Sequence, residues 1–343
     1  GRGDSSCSVT GSGNVAIGMC AGTGLTSANR SVFVGMLAGG IRKDAGITGC
    51  CNIGIGYGAG MCLTTGCDSV IIGMNAVKSN CVTANRVVAI GGCALRTLCS
   101  GSYSVAIGFQ AGGCQCTGGN NVYIGRKSGC KVTTGSGNVM VGNQTKYSGN
   151  ESSGSGNVFV GNGAGAKSDG SSNVYVGCVA GCQRTDGNNN VAIGACALKG
   201  ISGSATGGFN VALGSKAGCC VSTGVFNTLL GPNAGLGLTT GSCNVVVGYS
   251  ASVPSITGDT QLAIGVAHTN WIFGTCDFMV GIGLTNPTSR LTVAGDACVS
   301  GVITAANFAK ADGSSLGGFS ADADVNLFAS NTCSGCDLDG SGC

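Results

Sequence analysis

The sequence predicts an all-β protein, a parallel β-solenoid of about fifteen 17-residue coils followed by a small β-rich connector. A short motif of the type NVAIG recurs fifteen times along the chain. Glycine supplies 67 of the 343 residues and proline only 3, without the three-residue period of collagen. Helix-breaking glycine is too frequent for a helical protein. The formal net charge of +3 and the positive mean hydropathy of +0.34 are untypical of a disordered chain.

The repeat is defined by the glycine that closes each motif, and most successive closing glycines lie 17 residues apart. Such a period indicates one structural unit per repeat, stacked on its neighbours because a single unit cannot bury its own core. At about 4.8 Å per coil, the array would form a rod roughly 70 Å long. The closing glycines are Gly18, Gly35, Gly56, Gly73, Gly91, Gly108, Gly125, Gly142, Gly161, Gly177, Gly194, Gly214, Gly231, Gly248 and Gly265.

Counted from the closing glycine, position −1 is always Ile, Val or Leu, and position −3 is usually Val. Because residues two apart on a strand share one face, we expect both positions to face the interior of the coil. Position −4 is Asn in ten of the fifteen repeats, which suits a corner. The closing glycine is expected to take a positive φ or a sharp turn. A small residue at +3, such as Ala21 or Ala111, is expected to point inward.

Position −2 should then point outward, yet no repeat carries a charge there. A strand that is apolar on both faces is normally buried on both faces. We therefore predict that this column lies in an interface between copies of the chain. Two alternatives stay open, cover by a loop of the same chain and simple exposure of the alanine-rich stretches. The aromatic and largest candidates for the oligomer interface are Phe33, Tyr123, Phe159 and Tyr175.

The chain is expected to divide into an N-terminal segment (1–10), the solenoid array (11–270), a β-rich connector (271–319) and a tail (320–343). In the connector, short alternating strands are predicted at Arg290 to Val293 and Val299 to Thr304, between turn signals. The tail resembles the start of a further repeat or an assembly segment. We therefore expect these residues to be part of a longer polypeptide.

The 23 cysteines have three interpretations, namely disulfides of an extracellular protein, small buried thiols of the core, or zinc ligands. Stacked positions on neighbouring coils lie close enough for a disulfide. The register predicts the pairs Cys178–Cys196 and Cys114–Cys130. Three consecutive coils also carry a cysteine at position +8, and only two of these can pair with each other: Cys81, Cys99 and Cys116.

The composition argues against several classes of function. The 31 charged residues are scattered, without the basic cluster of a nucleic-acid-binding protein. One histidine and 14 carboxylates leave little material for acid–base catalysis, and no clustered carboxylate pair suggests a glycosidase. No apolar run reaches the 18 or more residues of a membrane helix. We therefore expect no enzyme, no catalytic residue, no cofactor, no metal site, no nucleic-acid partner and no membrane insertion.

Two motifs carry a family resemblance. Tandem NVAIGxxAG units followed by polar stretches such as LTTGS resemble those of phage and cyanophage tail fibres and other virion structural proteins. The segment VGIGLTNPTSRLTVAGDACVSGVITA resembles a connector found in such fibres, and the two patterns cover about residues 11 to 319. The repeat is also similar to the head repeats of trimeric autotransporter adhesins. The resemblance implies a homotrimeric fibre that is extracellular or part of a virion.

These expectations combine into one functional hypothesis. The chain is predicted to be a non-enzymatic structural fibre protein, a trimeric virion tail fibre that gives rigid reach and recognises a host surface. Its expected partners are copies of itself, with a host-surface receptor or glycan as a further candidate. The alternative is a subunit of a self-assembling extracellular filament or a cell-surface adhesin. The neighbouring genes would discriminate between the two, since a tail fibre lies among tail genes and an adhesin or filament among secretion genes.

Overall fold

The computed structural model describes residues 10–40, 46–79, 82–148, 152–201, 205–267, 269–295 and 297. Within these residues the protein is all-β, and its strands belong to a single sheet of 18 strands without a helix. The predicted parallel β-solenoid is therefore confirmed. The N-terminal residues 1–9, the second connector strand at 299–304, and the tail at 320–343 lie outside the described residues.

Each repeat contributes one strand at positions −3 to −1, where the sequence predicts it. All are three residues long except the last, which continues past its closing glycine. The strands are β1 (Val15–Ile17), β2 (Val32–Val34), β3 (Ile53–Ile55), β4 (Val70–Ile72), β5 (Val88–Ile90), β6 (Val105–Ile107), β7 (Val122–Ile124), β8 (Val139–Val141), β9 (Val158–Val160), β10 (Val174–Val176), β11 (Val191–Ile193), β12 (Val211–Leu213), β13 (Thr228–Leu230), β14 (Val245–Val247) and β15 (Leu262–Val266).

Successive coils pair in parallel and in register, so equivalent repeat positions lie side by side. Between β10 and β11, for example, Val174 lies beside Val191 and Tyr175 beside Ala192. Spacings that depart from 17 residues do not disturb this register. The 20-residue step from β11 to β12 still aligns Val191 with Val211. The extra residues are therefore accommodated outside the strands.

The closing glycine forms the predicted corner. Gly108 has a φ of +136°, a conformation that side-chain-bearing residues rarely adopt. A Cβ at Gly108 would also lie 2.5 Å from the carbonyl oxygen of Gly125 on the next coil. Both constraints recur at the closing glycines of β1 to β14, each of which lies directly beside the next one. Gly265 is the exception, because it lies inside β15 and has no positive φ. The prediction of a positive φ at this position is confirmed.

The structure overturns the predicted orientation of the strands. The middle residue, at −2, faces the interior, whereas positions −1 and −3 face outward and are partly or largely exposed. The four residues predicted in a subunit interface are therefore core residues of a single chain, each 0% exposed: Phe33, Tyr123, Phe159 and Tyr175. A three-residue strand that is apolar on both faces has no polar side to indicate which face is inside. The predicted inward alanine at +3 is confirmed, since Ala111 is buried.

The interior is filled by matching large with small residues. Where position −2 is aromatic, position +4 of the same coil is glycine, and a Cβ there would lie 2.5 Å from the ring in the pairs Phe33–Gly39, Phe159–Gly165 and Tyr175–Gly181. At Ala89 and Ala192 the space is filled by Leu95 and Leu198 at +4. At Ala106 position +4 is Gly112, and the space is taken by Tyr123 and Leu95 of the adjacent coils. Phe159 and Tyr175 also stack, with ring centroids 5.0 Å apart. The interior is therefore packed closely, as protein cores are.

The asparagines at −4, apart from the half-buried Asn14, are buried, and most form a hydrogen-bonded column in place of the corner role predicted for them. The Oδ1 of Asn157 accepts the backbone N–H of Asn173 at 3.0 Å. The Nδ2 of Asn157 donates to the carbonyl of Gly170 at 3.0 Å and to Oδ1 of Asn138 at 3.1 Å. Each amide therefore links adjacent coils and satisfies backbone groups that the narrow interior excludes from water.

The parallel array ends at an antiparallel hairpin. Strand β16 (Thr269–Gly274) pairs antiparallel with β15, and β17 (Val280–Ile282) pairs antiparallel with β16. Strand β18 (Leu291–Val293) then pairs in parallel with β17, close to the predicted strand at 290–293. The expected boundary between solenoid and connector, at residue 270, falls inside β16. The sheet continues across it without interruption.

Candidate functional site

The outer face of the sheet carries two columns of side chains, from positions −3 and −1, which are aliphatic in every repeat except for Thr228. No repeat has a charged residue at either position. Many of these side chains are 36% to 59% exposed, so they are not part of the core: Val15, Ile17, Ile53, Ile55, Ile107, Ile124, Val139, Ile193, Leu213 and Val245. We call the −3 and −1 columns of β1–β15 the aliphatic face.

The aliphatic face is large for a monomer. Fourteen parallel steps join β1 to β15, which at about 4.8 Å per step and about 10 Å of strand width gives roughly 700 Å². Soluble monomers seldom expose contiguous apolar patches of more than a few hundred Å². Several position +1 side chains extend the apolar surface beyond the closing glycines: Met19, Met36, Tyr57, Met74, Phe109 and Tyr249.

The sequence contains a signal that distinguishes the two faces. Wherever position −2 carries an aromatic ring, a compensating glycine stands at +4, as packing in a confined interior requires. Positions −1 and −3 remain aliphatic and of similar size, without such compensation. The apolar surface predicted from the sequence is therefore present, but its residues are the neighbours of those predicted.

The described cysteines are thiols, and the structure contains no disulfide among them. Several predicted neighbours do lie on adjacent coils. The backbone N–H of Cys196 donates to the carbonyl of Cys178 at 2.9 Å, and that of Cys99 donates to the carbonyl of Cys116 at 2.9 Å. Cys81 lies outside the described residues. The register behind these two pairs is confirmed, whereas the disulfides themselves stay predictions.

The predicted Cys114–Cys130 pair lies in the same region of neighbouring coils. Burial raises the pKa of the Cys130 thiol, the nearby Cys114 raises it further, and Lys127 and Lys131 act in the opposite direction. Both thiols border the same surface cavity. They are thus close in space without a disulfide between them.

One close pair of thiols on adjacent coils, Cys50 and Cys67, is missing from the pairs predicted from the sequence. The Sγ atoms of Cys50 and Cys67 are 3.6 Å apart, and the backbone N–H of Cys50 donates to Sγ of Cys67 at 3.1 Å. The contact with Cys67 raises the pKa of the Cys50 thiol. Both cysteines lie six residues before a closing glycine, so counting backward from the following glycine reveals the pair.

Two cations penetrate the interior, and each has a structural partner. The Nζ of Lys146 lies 2.6 Å from Oδ1 of Asp169. Arg184 donates from its guanidinium to the backbone carbonyls of Val221, at 3.3 Å, and Gly207. Burial lowers the pKa of both side chains. Lys146 thus neutralises a carboxylate, and Arg184 donates to buried backbone carbonyls of two later coils.

The described residues contain no group of three or more His, Cys, Asp or Glu side chains placed to hold a metal ion. Nor does this part of the chain include a helix that is long and apolar enough to cross a membrane. No protein-family model, curated protein or solved structure matches the chain.

Proposed function

We propose that the chain is a subunit of a homo-oligomeric structural fibre whose copies pack through the aliphatic face. In this assembly the solenoid supplies a rigid rod, and the surfaces outside the interface contact a partner. The resemblance of the repeats to tail-fibre and adhesin repeats favours a trimer, carried on a virion or outside the cell. The protein acts by reach and recognition and has no catalytic role.

The aliphatic face carries this proposal. Its area of roughly 700 Å² is close to the ~800 Å² that each partner buries in a standard stable interface. It has no charge in its two columns, so copies of the chain can meet there without burying an unpaired ion. A second copy presents the same apolar rod, with the same length and the same 17-residue spacing.

Rigidity supports the fibre role. Adjacent coils are joined by strand hydrogen bonds and by turn contacts such as Gly112 N–H to the carbonyl of Ser128, at 2.8 Å. The buried amide column adds a further link in the C-terminal coils. Bending such a rod would require several of these hydrogen bonds to lengthen together.

Light scattering on the purified chain tests the assembly. We expect a mass of about three times 33.1 kDa at micromolar concentration. The double variant Ile107→Asp/Ile124→Asp places two carboxylates on the aliphatic face and should shift the protein toward monomers. Thr117→Asp/Thr134→Asp is the matched control, since it adds the same charge to the same two coils at exposed positions away from the strands.

A monodisperse wild-type monomer would contradict the proposal, as would an unchanged trimer in the Ile107→Asp/Ile124→Asp variant. Long, polydisperse particles in electron micrographs would support the alternative of a self-assembling filament. Circular dichroism of each variant verifies that the coils still fold. A folded monomeric face variant beside a trimeric control variant is the result that we expect.

A further inference from the structure

A cavity of about 310 Å³ lies on the side of coils that contain β5 to β8. The residues that line it occupy positions +2, +5 and +6, in the turn that follows the closing glycine. None of them is a strand residue of the aliphatic face. Four successive coils contribute to it. Packing through the aliphatic face therefore does not use the residues that form this cavity.

The cavity is cationic. Three of its ten lining residues carry a positive charge, Arg96, Lys127 and Lys131, and none is a carboxylate. This is a high local density for a chain with only 17 lysines and arginines in 343 residues. Lys127 and Lys131 belong to one repeat, whereas Arg96 comes from a repeat two coils earlier. Stacking of coils brings them together, since Arg96 is at +5, Lys127 at +2 and Lys131 at +6 of their repeats.

The remaining lining residues provide polar groups and one aromatic ring. Tyr147 is partly exposed and offers an apolar ring face together with a hydroxyl. Thr97 and Gln110 add a hydroxyl and an amide. Because burial raises the pKa of Cys130, this thiol stays protonated near neutral pH and does not neutralise the lysines. A ligand in the cavity therefore meets positive charge, hydrogen-bonding groups and an aromatic surface.

We propose that this cavity binds an acidic saccharide, a sugar that carries a carboxylate or sulfate group. The anionic group meets Lys127, Lys131 and Arg96, while the apolar C–H face of the sugar ring packs on Tyr147. The cavity is at the lower end of the ~300–1,000 Å³ of small-molecule sites, which suits one or two sugar rings. The inference rests on the proposed function, because it names the partner class that a recognition fibre would contact here.

The test measures the binding of defined oligosaccharides to the full chain at low ionic strength. Saturation-transfer NMR and calorimetry detect the binding. The probes are a sulfated heparin disaccharide, sialyllactose as the carboxylated sugar, and lactose as the neutral control. We expect one or both acidic probes to bind and lactose not to bind. The two acidic probes distinguish a sulfate ligand from a carboxylate ligand.

Matched variants distinguish binding in the cavity from non-specific electrostatic attraction to the protein. Lys127→Gln/Lys131→Gln should weaken binding about ten-fold, since each contact is partly exposed and of modest strength. The control Lys167→Gln/Lys216→Gln removes the same charge at positions +6 and +2 of coils outside the cavity and should leave binding unchanged. Tyr147→Ala should weaken saccharide binding but not the attraction of inorganic sulfate.

Three results would overturn the proposal: no binding of either acidic probe, an equal loss in the Lys167→Gln/Lys216→Gln control, or equal binding of a short single-stranded DNA with the same dependence on Lys127 and Lys131. The oligomer mass is measured on the same samples. A trimer that binds no acidic saccharide would reject this inference alone, whereas a monomer would reject the proposed fibre.

Discussion

The two halves of the solenoid form the same coil with different residues at position −4. From β7 to β15 every strand is preceded by a buried amide in an unbroken series: Asn121, Asn138, Asn157, Asn173, Asn190, Asn210, Asn227, Asn244 and Gln261. In the N-terminal half the same position, before β2 to β6, is occupied by Ser31, Asn52, Ser69, Val87 and Ser104. The coils nevertheless pair in the same register in both halves.

The hydroxyls replace only part of what the amides do. The Oγ of Ser69 accepts the backbone N–H of Val87 at 3.2 Å, as an asparagine Oδ1 would. It donates locally to the carbonyl of Cys67, whereas an asparagine reaches a corner carbonyl of the next coil. At β6 a different residue supplies the missing amide, since Gln115 donates to Ser104 Oγ and to the carbonyl of Gly118.

The comparison separates what determines the fold from what stabilises it. The path of the coil is set by features common to both halves, the glycine corner, the inward alanine and the aliphatic strand. The amide column is added to this framework and varies along it. We therefore expect the C-terminal half to be the more resistant to local unfolding, because its buried carbonyls and N–H groups are better satisfied.

The largest expected loss of stability comes from substituting the closing glycine, which both halves share. Gly108→Val in the N-terminal half and Gly177→Val in the C-terminal half should be equally severe. Both glycines have a φ near +135° (136° and 134°) and would place a Cβ 2.5 Å from the next corner carbonyl. The backbone strain alone costs about 1–3 kcal/mol, and the steric clash adds to it. Thermal denaturation measures the loss, and normal stability in either variant would contradict the corner assignment.

These corners, the coil number and the strand positions were all accessible from the sequence, because the closing glycine and the aliphatic columns recur with a fixed period. The direction of each strand was not. Phe159 and Tyr175 were assigned outward because adjacent positions on a short apolar strand show no alternation of polarity. Only their relation to Gly165 and Gly181, four residues beyond the closing glycine, reveals that they fill an interior.

The candidate sites were predicted less completely for a related reason. The sequence predicts an apolar outer surface but places it at position −2, whereas the aliphatic face lies at positions −3 and −1. The cationic cavity was missed, since Arg96, Lys127 and Lys131 form no run in the sequence and meet only when three coils are stacked in register. The column of asparagines was recognised, but its role depends on carbonyls of the next coil.

The next largest loss of stability is expected from removing an asparagine of the amide column, and it is compared with the removal of a serine at the same repeat position. Asn157→Ala removes the acceptor for the backbone N–H of Asn173 and the donor to Gly170, leaving two buried groups unpaired. At ~1–3 kcal/mol for each group, we expect a loss of about 3–4 kcal/mol. Ser69→Ala leaves one N–H unpaired and should cost about 1–2 kcal/mol. Hydrogen exchange of the flanking strands measures both, and equal losses would remove the distinction between the halves.

The cysteines offer the N-terminal half a covalent link that could offset its weaker column. Glutathione disulfide should oxidise Cys50 and Cys67 to a disulfide, being reduced to two glutathione molecules, because the two Sγ atoms are already 3.6 Å apart. A link that closes a loop of this length stabilises by up to about 3 kcal/mol. We expect a rise in melting temperature on oxidation that Cys50→Ser abolishes.

Peptide mapping without reduction identifies the bond and tests the pairs predicted from the sequence at the same time. Cys178–Cys196 should appear if the C-terminal coils also oxidise between neighbours. The adjacent thiols of Cys219 and Cys220, with Sγ atoms 3.4 Å apart, are the control, since a link between them would join no coils. Pairs drawn from coils two or more apart would refute the register, and fully alkylatable thiols would refute the disulfides.

The smallest expected effect comes from placing an asparagine, as found in the C-terminal half, at position −4 of an N-terminal coil. Val87 interrupts the column before β5, where it is buried and offers no acceptor to the backbone N–H of Ser104 on the next coil. In Val87→Asn, Oδ1 can accept that N–H, and Nδ2 can reach the carbonyl of Gly101, fourteen residues on, as Asn121 reaches Gly135. The lost valine burial costs about 1.5–2 kcal/mol. Because two hydrogen bonds to buried groups exceed this cost, we expect a net gain of about 1 kcal/mol.

A control substitution tests whether the expected gain is specific to position −4. Val82 is equally buried in the same half but lies outside the column, so an amide there gains none of its carbonyl and N–H partners. Val82→Asn should therefore destabilise the protein by about 2–4 kcal/mol, the cost of an unpaired buried amide together with lost packing. Chemical denaturation compares the two variants. If Val87→Asn were as destabilising as Val82→Asn, an amide at position −4 would not be sufficient to stabilise an N-terminal coil. The two halves would then differ at further positions besides −4.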